Sequence, residues 1–502
     1  MREGTQRAVR TATTASLGDI ESAGSRHMWR RSSVHVDGHV FVGRWDGTVT
    51  AFAFDRDRAR DRDQAALERV WERPHPEPAV SLATCGGSNS NGNSTAERND
   101  DANSNTLVVG GRGDRGTIGA YDRATGEERW RYETSADLGE ATADRLFEQP
   151  YVVALETDGE SVYAAARRYE RDGEDRRWRS VVYAFGGDGT VRWRYATDAS
   201  PIALSLSLSS GEGGEERTGG EGAMEADRLA IGYNRCSGVH DNGLVVLEAA
   251  SGTPAWTWDP GTTGERRVGD VAFAGDRLAV ASHGDKCGYL LGPGGEERWR
   301  VPLATETEIC DETLYAYPNH AVVTDDVVAF ATGNTYALEG RETENRHPNE
   351  HRLVAFSLSE VDVNSNSNST SSECERERGR EHVCQDDPGP DSDPDSNDDP
   401  TTAGDELWNA TLEGFAHGLA ASAGGFAIPC AQNFRVRDPE SHALRWIDRE
   451  TGTGTEVDLE GIATDAATDG ELLATIEEPV RYHDDGTTRG SYAVHVLEVS
   501  AF

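Results

Sequence analysis

Cysteine and histidine are the residue types in this 502-residue sequence best suited to bind a soft metal or to carry redox chemistry. No C-x-x-C pair occurs among the seven cysteines, and those in predicted loops are tens of residues apart. This spacing favours small buried thiols over a metal or redox centre, and no metal site is predicted. The side chains weighed for such a site are Cys236, Cys287, Cys310, Cys430, His240, His283 and His320.

One neighbouring pair bears on thiol reactivity. The only lysine, Lys286, stands directly before Cys287 in the stretch HGDKCG. A nearby cation lowers the pKa of a thiol and makes it a better nucleophile at neutral pH. We therefore expect Lys286 to lower the pKa of the Cys287 thiol.

The charge balance is strongly acidic, with 89 Asp and Glu against 49 Lys and Arg and a formal net charge of −40. Abundant carboxylates with a single lysine indicate adaptation to concentrated salt, which screens self-repulsion. A halophilic, haloarchaeal origin with an acidic proteome is expected. A GC-rich genome alone would explain arginine in place of lysine but not the carboxylate excess. The charge opposes phosphate contacts, so nucleic acid is excluded as a partner.

No stretch of about 18 apolar residues occurs, so no membrane span is predicted. Residues 1–26 contain cations but lack the apolar core of a secretory signal. A cytoplasmic protein is therefore expected, or an extracytoplasmic one if the start codon is misassigned.

The elements that would position these residues are short strands in a repeated pattern. Four times a turn glycine is followed four residues later by tryptophan, as in GTIGAYDRATGEERW, which ends at Trp130. Weaker copies complete the series, and Val457 takes the place of tryptophan in one of them. A wide aromatic at a fixed place in each outer strand is expected to pack between neighbouring sheets. The tryptophans assigned to this packing are Trp29, Trp71, Trp130, Trp193, Trp256, Trp299 and Trp408.

Each repeat reads as four strands with a period of roughly 40 to 50 residues, which is typical of propeller blades. No sustained helical periodicity is present. The pattern predicts an all-β, eight-bladed β-propeller closed by pairing of an N-terminal strand with the C-terminal blade, so that no sheet edge stays open. Trp29, in RHMWRR, is expected to lie in that closing strand. The predicted domains are a disordered tail, residues 1–26, and the propeller, residues 27–502.

Three low-complexity stretches, residues 86–105, 209–226 and 359–404, interrupt the repeats. They are too polar to offset the entropy of ordering and are predicted to be disordered loops. In the repeat assignment they follow the first or the third strand of a blade, and turns of these two classes leave an antiparallel blade on one face. The opposite face is thereby free for a ligand at the mouth of the channel.

The loops of that opposite face are far closer to electrical neutrality than the rest of the chain. We expect this face to bind a protein or an anionic ligand, although long loops can be rich in arginine without any such role. Replacing Arg167, Arg168, Arg435 and Arg437 together by Ser is expected to abolish binding. The candidate ligand residues are Arg44, Trp45, Arg112, Arg167, Arg168, Asn234, His283, Lys286, Arg435, Arg437, Arg481 and Tyr482.

The stretches VFVGRWDGTVTAFAFD and LVVGGRGDRGTIGAYDRATGEERW resemble the pyrroloquinoline-quinone-type repeat of the quinoprotein dehydrogenase-like propeller superfamily. That superfamily includes quinone-dependent alcohol dehydrogenases and a non-enzymatic lipoprotein of bacterial outer-membrane assembly. The resemblance implies the propeller fold over nearly the whole chain. For a dehydrogenase it would also imply a quinone, a calcium ion, a carboxylate base and two adjacent cysteines. This sequence has no Cys-Cys pair and no haem-binding C-x-x-C-H.

The function predicted from these observations is that of a monomeric, non-enzymatic binding or scaffold propeller with an unidentified protein partner. No catalytic residue is assigned and no cofactor is predicted. The alternative is a pyrroloquinoline quinone-dependent alcohol or sugar dehydrogenase, for which the quinone with calcium would be required. A metal-dependent enzyme or sensor built on the Cys and His groups ranks third.

Overall fold

The computed structural model describes the chain in segments separated by short gaps. These segments are residues 7–24, 31–55, 58, 67–85, 105–141, 147–173, 175–208, 227–340, 343–358, 404–422, 424–431, 441–482 and 486–501. Strands dominate them, together with a one-turn helix, α1 (Ser135–Leu138). The protein is all-β, as the sequence predicts.

The first half of the chain forms four antiparallel sheets, each from four consecutive strands. Sheet one contains β3 (Ser33–Val36), β4 (Val40–Gly43), β5 (Thr48–Phe54) and β6 (Leu67–Pro74). Sheet two contains β7 (Ala79–Cys85), β8 (Thr106–Gly111), β9 (Thr117–Asp122) and β10 (Glu128–Glu133). Sheet three contains β11 (Tyr151–Thr157), β12 (Ser161–Asp172), β13 (Asp175–Gly186) and β14 (Val191–Thr197). Sheet four contains β15 (Ala199–Ser207), β16 (Arg228–Cys236), β17 (Leu244–Glu248) and β18 (Pro254–Trp258).

The second half follows the same plan with added short strands. Sheet five contains β19 (Val268–Ala274), β20 (Arg277–Ser282), β21 (Cys287–Leu291) and β22 (Glu297–Pro302). Sheet six contains β23 (Thr307–Ile309), β24 (Glu312–Val323), β25 (Val327–Ala337), β26 (Arg352–Ser357) and β27 (Glu406–Thr411). Sheet seven contains β28 (Phe415–Ala416), β29 (Ala420–Ser422), β30 (Gly425–Ala431), β31 (Ala443–Asp448) and β32 (Gly454–Asp458).

Sheet eight joins the two ends of the chain. It contains β33 (Ile462–Thr468), β34 (Leu472–Glu478), β37 (Ala493–Ala501) and β1 (Arg7–Ser16). Strand β1 pairs with β37 from Arg7 opposite Ala501 to Ser16 opposite Ala493, with one bulge. Beside it, β2 (Ala23–Gly24) pairs in parallel with β35 (Val480–Arg481), which pairs with β36 (Thr488–Arg489).

Neighbouring sheets pack face to face in a ring. The first strands β3, β7, β11, β15, β19 and β24 lie side by side in that order, sheet seven contacts β25 and β33, and β33 contacts β3. The middle strands are therefore covered on both faces, and their side chains are buried almost without alternation, as in β8, TLVVGG. This arrangement is that of a β-propeller.

A tryptophan on the outer strand fastens one sheet to the next. The indole nitrogen of Trp71 donates to the carbonyl oxygen of Arg123 at 2.8 Å, in the turn of sheet two. Trp130 does the same to Gly187 at 2.9 Å, in sheet three. The other indoles that donate to a turn of the following sheet are those of Trp193, Trp256 and Trp408, at 2.9, 2.8 and 2.9 Å. Trp299 instead packs against Phe330 and Phe356.

The structure corrects the expected N-terminal boundary. Residues Arg7–Ser16, assigned to a disordered tail, form the closing strand β1. Trp29, assigned to that strand, lies outside the described residues. The sequence RAVRTATTAS has no apolar stripe from which this strand could have been predicted.

The three low-complexity stretches lie almost entirely outside the described residues. Along the chain they fall between β7 and β8, between β15 and β16, and between β26 and β27.

Candidate functional site

The loops between second and third strands and the connections between sheets share one face of the protein, because neighbouring strands are antiparallel. We name it the loop face. Backbone hydrogen bonds tie its segments together, from Cys236 N to Glu265 O at 2.9 Å and from His283 N to Arg267 O at 2.8 Å. The described segments used below are residues 75–78, 112–116, 134–141, 147–150, 167–173, 175–180, 198, 234–243, 259–267, 283–286, 305–317, 333–340, 343–351, 479–482 and 486–492.

Several carboxylates of the loop face are occupied by backbone amides. Glu77 is buried and accepts hydrogen bonds from the amides of Arg115 at 2.6 Å and Thr117 at 2.8 Å. Asp198 accepts from the amides of Val239 at 2.6 Å and His240 at 2.9 Å. These carboxylates hold the loops in place, and their negative charge is compensated by hydrogen bonds from main-chain amides.

Five cations on consecutive parts of the loop face form what we name the cationic arc. Arg112 follows β8, Arg167 lies on β12, Arg235 on β16, Arg266 between sheets four and five, and Lys286 between β20 and β21. The backbones of Arg235 and Arg266 form an isolated antiparallel bridge, which sets the two residues directly opposite each other.

Aromatic rings, more than carboxylates, face these cations. The Arg266 guanidinium lies 4.6 Å from the ring centre of Tyr317, and the Lys286 ammonium 5.0 Å from that of Tyr315. Neither cation forms an ion pair with any carboxylate of the described residues. Arg235 does, at 3.5 Å from Glu265, whose side chain is 52% exposed. Positive charge on this part of the face is therefore only partly compensated.

The arc cations act on one another. Burial is the main cause that lowers the pKa of Arg167 to about 10, and the positive charges of Arg112 and Arg235 act in the same direction. Burial and then Arg266 lower the pKa of Arg235. Like charges close enough to perturb one another favour an anion between them.

Part of the arc borders a cavity of about 440 Å³. Three arc cations line it, with a buried histidine and a tyrosine. The lining residues are Arg235, Thr262, Thr263, Gly264, Glu265, Arg266, His283, Gly284, Lys286 and Tyr317.

His283 is held neutral at the back of this cavity. Its Nδ1 and Nε2 atoms lie 3.2 Å from the side-chain amides of Asn234 and Asn319, respectively. Burial, followed by the field of Arg266, lowers the pKa of the imidazole to about 3. His283 is therefore a hydrogen-bonding wall residue near neutral pH and adds no charge.

Apolar side chains are exposed beside the arc. Val239 is 92% exposed, Leu338 55% and Phe147 47%. All three lie in loop-face segments, and Phe147 also lies against Arg112, whose guanidinium is 5.8 Å from its ring centre. A surface that pairs cations with exposed apolar groups suits a polypeptide ligand better than a simple ion.

The structure does not bring the sequence-predicted ligand residues together at one site. His283 and Lys286 line the cavity, and Asn234 contacts His283. Arg112 and Arg167 both face Tyr151. Arg44, Arg168 and Tyr482 are buried in local packing; the Nε atom of Arg168, for example, donates to Leu138 O at 2.9 Å. Trp45 lies against Arg31, and Arg481 is exposed. Arg435 and Arg437 lie outside the described residues.

The expectation of an activated Cys287 thiol is wrong. The Cys287 side chain is buried, and burial, then the charge of Asp285, raise the pKa of its thiol to about 12. Lys286 turns away, donating from Nζ to Gly284 O at 2.9 Å. Cys236 and Cys430 are also buried, and Cys310 is exposed.

No group of three or more His, Cys, Asp or Glu side chains within the described ranges is close enough to hold a metal ion. No helix in this part of the chain is long and apolar enough to cross a membrane.

Sequence reasoning missed Arg266, Tyr315 and Tyr317. Arg266 lies in a connection between sheets. The tyrosines lie on β24, whose pairing with β25 continues beyond the part of β25 that pairs with β26. The alternating aromatics of ETLYAYPNH, within β24, were the available signal.

The comparisons with known proteins give the family. No curated protein matches the sequence. Among solved structures, the chain is similar to BamB from Moraxella catarrhalis at 13% identity, covering 98% of this chain and 100% of that one, with a TM-score of 0.49. It is similar to a europium-containing methanol dehydrogenase at 11% identity, covering 98% and 93%, with a TM-score of 0.49. It is similar to the quinohemoprotein alcohol dehydrogenase ADHIIG from Pseudomonas putida HK5 at 11% identity, covering 98% of this chain and 76% of that one, with a TM-score of 0.48.

These structural likenesses are too low to favour a binding protein over a dehydrogenase. A family model described as outer membrane protein assembly factor BamB matches residues 53–218 and 221–367, which is more than half of the chain. The chain therefore belongs to the family of the outer membrane protein assembly factor BamB.

Proposed function

We propose that the eight larger sheets are the blades of one eight-bladed propeller, and that the protein is a non-enzymatic binding module. Its loop face binds an acidic segment of a partner protein, with carboxylates on the cationic arc and apolar side chains against Phe147, Val239 and Leu338. The partner is defined by this chemistry, an extended or amphipathic segment rich in Asp and Glu.

The observation that carries the proposal is positive charge that is only partly compensated, on one face of a chain whose net charge is −40. The carboxylates of Glu77 and Asp198 accept hydrogen bonds from backbone amides, whereas Arg266 and Lys286 face aromatic rings. The family description, an assembly factor, agrees with a protein that binds other proteins.

The quinone alternative fits the structure in part. Arg235, Arg266 and Lys286 could neutralise the carboxylates of pyrroloquinoline quinone, and tyrosines are nearby. Among the described residues, however, no carboxylate cluster is arranged for the calcium ion that accompanies the quinone in dehydrogenases. We derive no catalytic step through the quinone.

The test is fluorescence anisotropy with a labelled synthetic peptide that alternates Glu and Leu, and with the same peptide carrying Gln for Glu. The variant Arg167→Ser/Arg235→Ser/Arg266→Ser is compared with a control of equal charge change on the outer strands, Arg69→Ser/Arg131→Ser/Arg300→Ser. We expect the arc variant to lose at least about tenfold in affinity for the Glu peptide, since each lost charge-assisted contact costs about 1.5–3 kcal/mol.

Equal affinities for the arc and control variants would contradict the proposal, as would equal binding of the Gln peptide. This set replaces the substitution of Arg167, Arg168, Arg435 and Arg437, because the buried Arg168 would report on folding as well. A parallel titration with pyrroloquinoline quinone and calcium decides the alternative. Saturable one-to-one binding that supports oxidation of an alcohol or sugar would establish the dehydrogenase and overturn a non-enzymatic role.

A further inference from the structure

Beside Tyr317, part of the cationic arc lines a cavity. Its volume of about 440 Å³ lies within the range of small-molecule sites, roughly 300–1,000 Å³, and is larger than one amino-acid carboxylate would fill. It is framed by the end of β16, the connection 259–267, the turn 283–286 and the start of β24.

The polar groups of the cavity are predominantly donors. Arg235, Arg266 and Lys286 bring three cations, against one carboxylate, Glu265, whose nearest oxygen lies 3.5 Å from Arg235 Nη1. The Thr262 hydroxyl is buried and has no hydrogen-bond partner in the described residues. A buried hydroxyl without a partner costs about 1–3 kcal/mol, which a bound acceptor would recover.

The remaining walls are rigid and uncharged. Tyr317 contacts Tyr315, Tyr336 and His283 through ring pairs with centroids 5.5, 5.4 and 4.9 Å apart. Gly284 closes one side, where an added Cβ would lie 2.5 Å from Thr262 Oγ1. The cavity thus combines a fixed aromatic wall with converging cations.

We propose that this cavity is a binding site for a small organic oxyanion, a compound with a carboxylate or phosphate group on a compact body that lies against Tyr317. The oxyanion contacts Arg235, Arg266 and Lys286, and Thr262 donates the fourth hydrogen bond. The site deepens the function proposed above, since it rests on the same cations, but it needs no protein partner.

Isothermal titration calorimetry with inorganic phosphate and with malonate, at constant potassium chloride, tests the site. We expect saturable one-to-one binding of at least one probe. Arg266→Gln should weaken it about tenfold, Arg266→Lys should weaken it less, and Arg300→Gln, on an outer strand, should leave it unchanged. Gly284→Ala adds a methyl group at the cavity wall without changing charge and should also weaken binding. The tighter of the two probes identifies the source as phosphate or carboxylate.

Absence of binding of both probes, or equal binding by the Arg266→Gln and wild-type proteins, overturns the cavity site. The variant Arg167→Ser separates this result from the proposed function. It should retain affinity for the small anion but lose affinity for the acidic peptide. Peptide binding without anion binding leaves the module standing and removes the cavity site.

Discussion

At the scale of single residues, surroundings decide what a charge or a thiol can do. Glu77 and Lys286 each contribute one unit of formal charge. Glu77 accepts hydrogen bonds from two backbone amides, whereas Lys286 faces the ring of Tyr315. Formal charge along the sequence identified the loop face as unusual. It could not identify which cations stay uncompensated, because hydrogen bonds to main-chain amides leave no mark in a sequence.

The cysteines give a first prediction at this scale. Cys85, Cys236, Cys287 and Cys430 are buried with raised thiol pKa values, and Cys310 is exposed. Since the thiolate is the reactive form, we expect iodoacetamide to modify Cys310 far faster than Cys287 in the native protein. Peptide mass spectrometry measures both rates, and denaturation should make them similar. Equal native rates would contradict the burial of Cys287.

Glu156 gives a second prediction. It is half-buried on β11, and burial raises its pKa from 4.5 to about 8. The folded state therefore holds a proton that the unfolded state releases, so the contribution of this residue to stability falls as pH rises from about 4.5 to about 8. Glu156→Gln should reduce the loss of stability over that window, as measured by chemical denaturation at constant salt. The exposed Glu127→Gln is the control, and an unchanged pH slope in Glu156→Gln would contradict the prediction.

At the scale of elements, the turn glycine and the tryptophan act together across a sheet boundary. Gly126 has φ of +70°, and a Cβ there would lie 2.7 Å from the ring of Trp71. Gly452 stands over Trp408 in the same way, with φ of +65°. The repeat glycine is therefore required twice, for its backbone conformation and for the indole packed against it.

Gly126→Ala separates these two requirements when compared with Gly275→Ala. Gly275 has φ of +58° but nothing within 4 Å of an added Cβ, so its variant reports the backbone cost alone, about 1–2 kcal/mol. Gly126→Ala should lower the free energy of unfolding by about 1–3 kcal/mol more, because it also overpacks the Trp71 contact. Equal losses in urea denaturation would show that the tryptophan contact tolerates the methyl group.

Strands could be predicted from the sequence where the same packing residues recur in each sheet. They were missed where a strand lacks those residues. The turn glycines and the outer-strand tryptophans mark the third and fourth strands of most sheets, since each must fill the same space. β1 carries no such mark, and the greater length of β12 and β24 follows from their local pairing with β13 and β25. The cavity depends on β24, so its full lining could not be read from the repeat.

At the scale of the whole molecule, a buried ion pair supports the closure of the ring. Arg31 Nε lies 3.1 Å from a Glu478 carboxylate oxygen, with side chains only 7% and 0% exposed. Ser32 donates to Glu478 from its amide at 3.0 Å, and its hydroxyl lies 2.9 Å from the Tyr492 hydroxyl. These contacts join sheet eight to the segment that leads into sheet one.

Removing one partner should therefore be costly. Arg31→Gln leaves Glu478 buried without its cation, for which a loss of about 3–5 kcal/mol is expected. Arg31→Gln/Glu478→Gln should recover part of that loss, because no uncompensated charge remains. Chemical denaturation of the two variants measures the difference. A double variant no more stable than the single one would show that the pair is not the source of the loss.

The net charge of −40 gives a further whole-molecule prediction. Self-repulsion destabilises a compact state of such charge, and salt screens it. We expect the melting temperature to rise steadily with potassium chloride up to molar concentrations, and to rise more than in a variant with ten exposed carboxylates replaced by their amides. Equal dependence on salt would attribute the effect to the salt's action on apolar surface.

The pairing of β1 with β37 places Arg7 opposite Ala501, so the two ends of the propeller lie side by side in one sheet. The arrangement of the sheets in the ring therefore does not require the chain to begin at this particular sheet. A circular permutant, with the present ends joined by a short linker and new ends opened between Leu208 and Asp227, would retain every strand pair of the native protein.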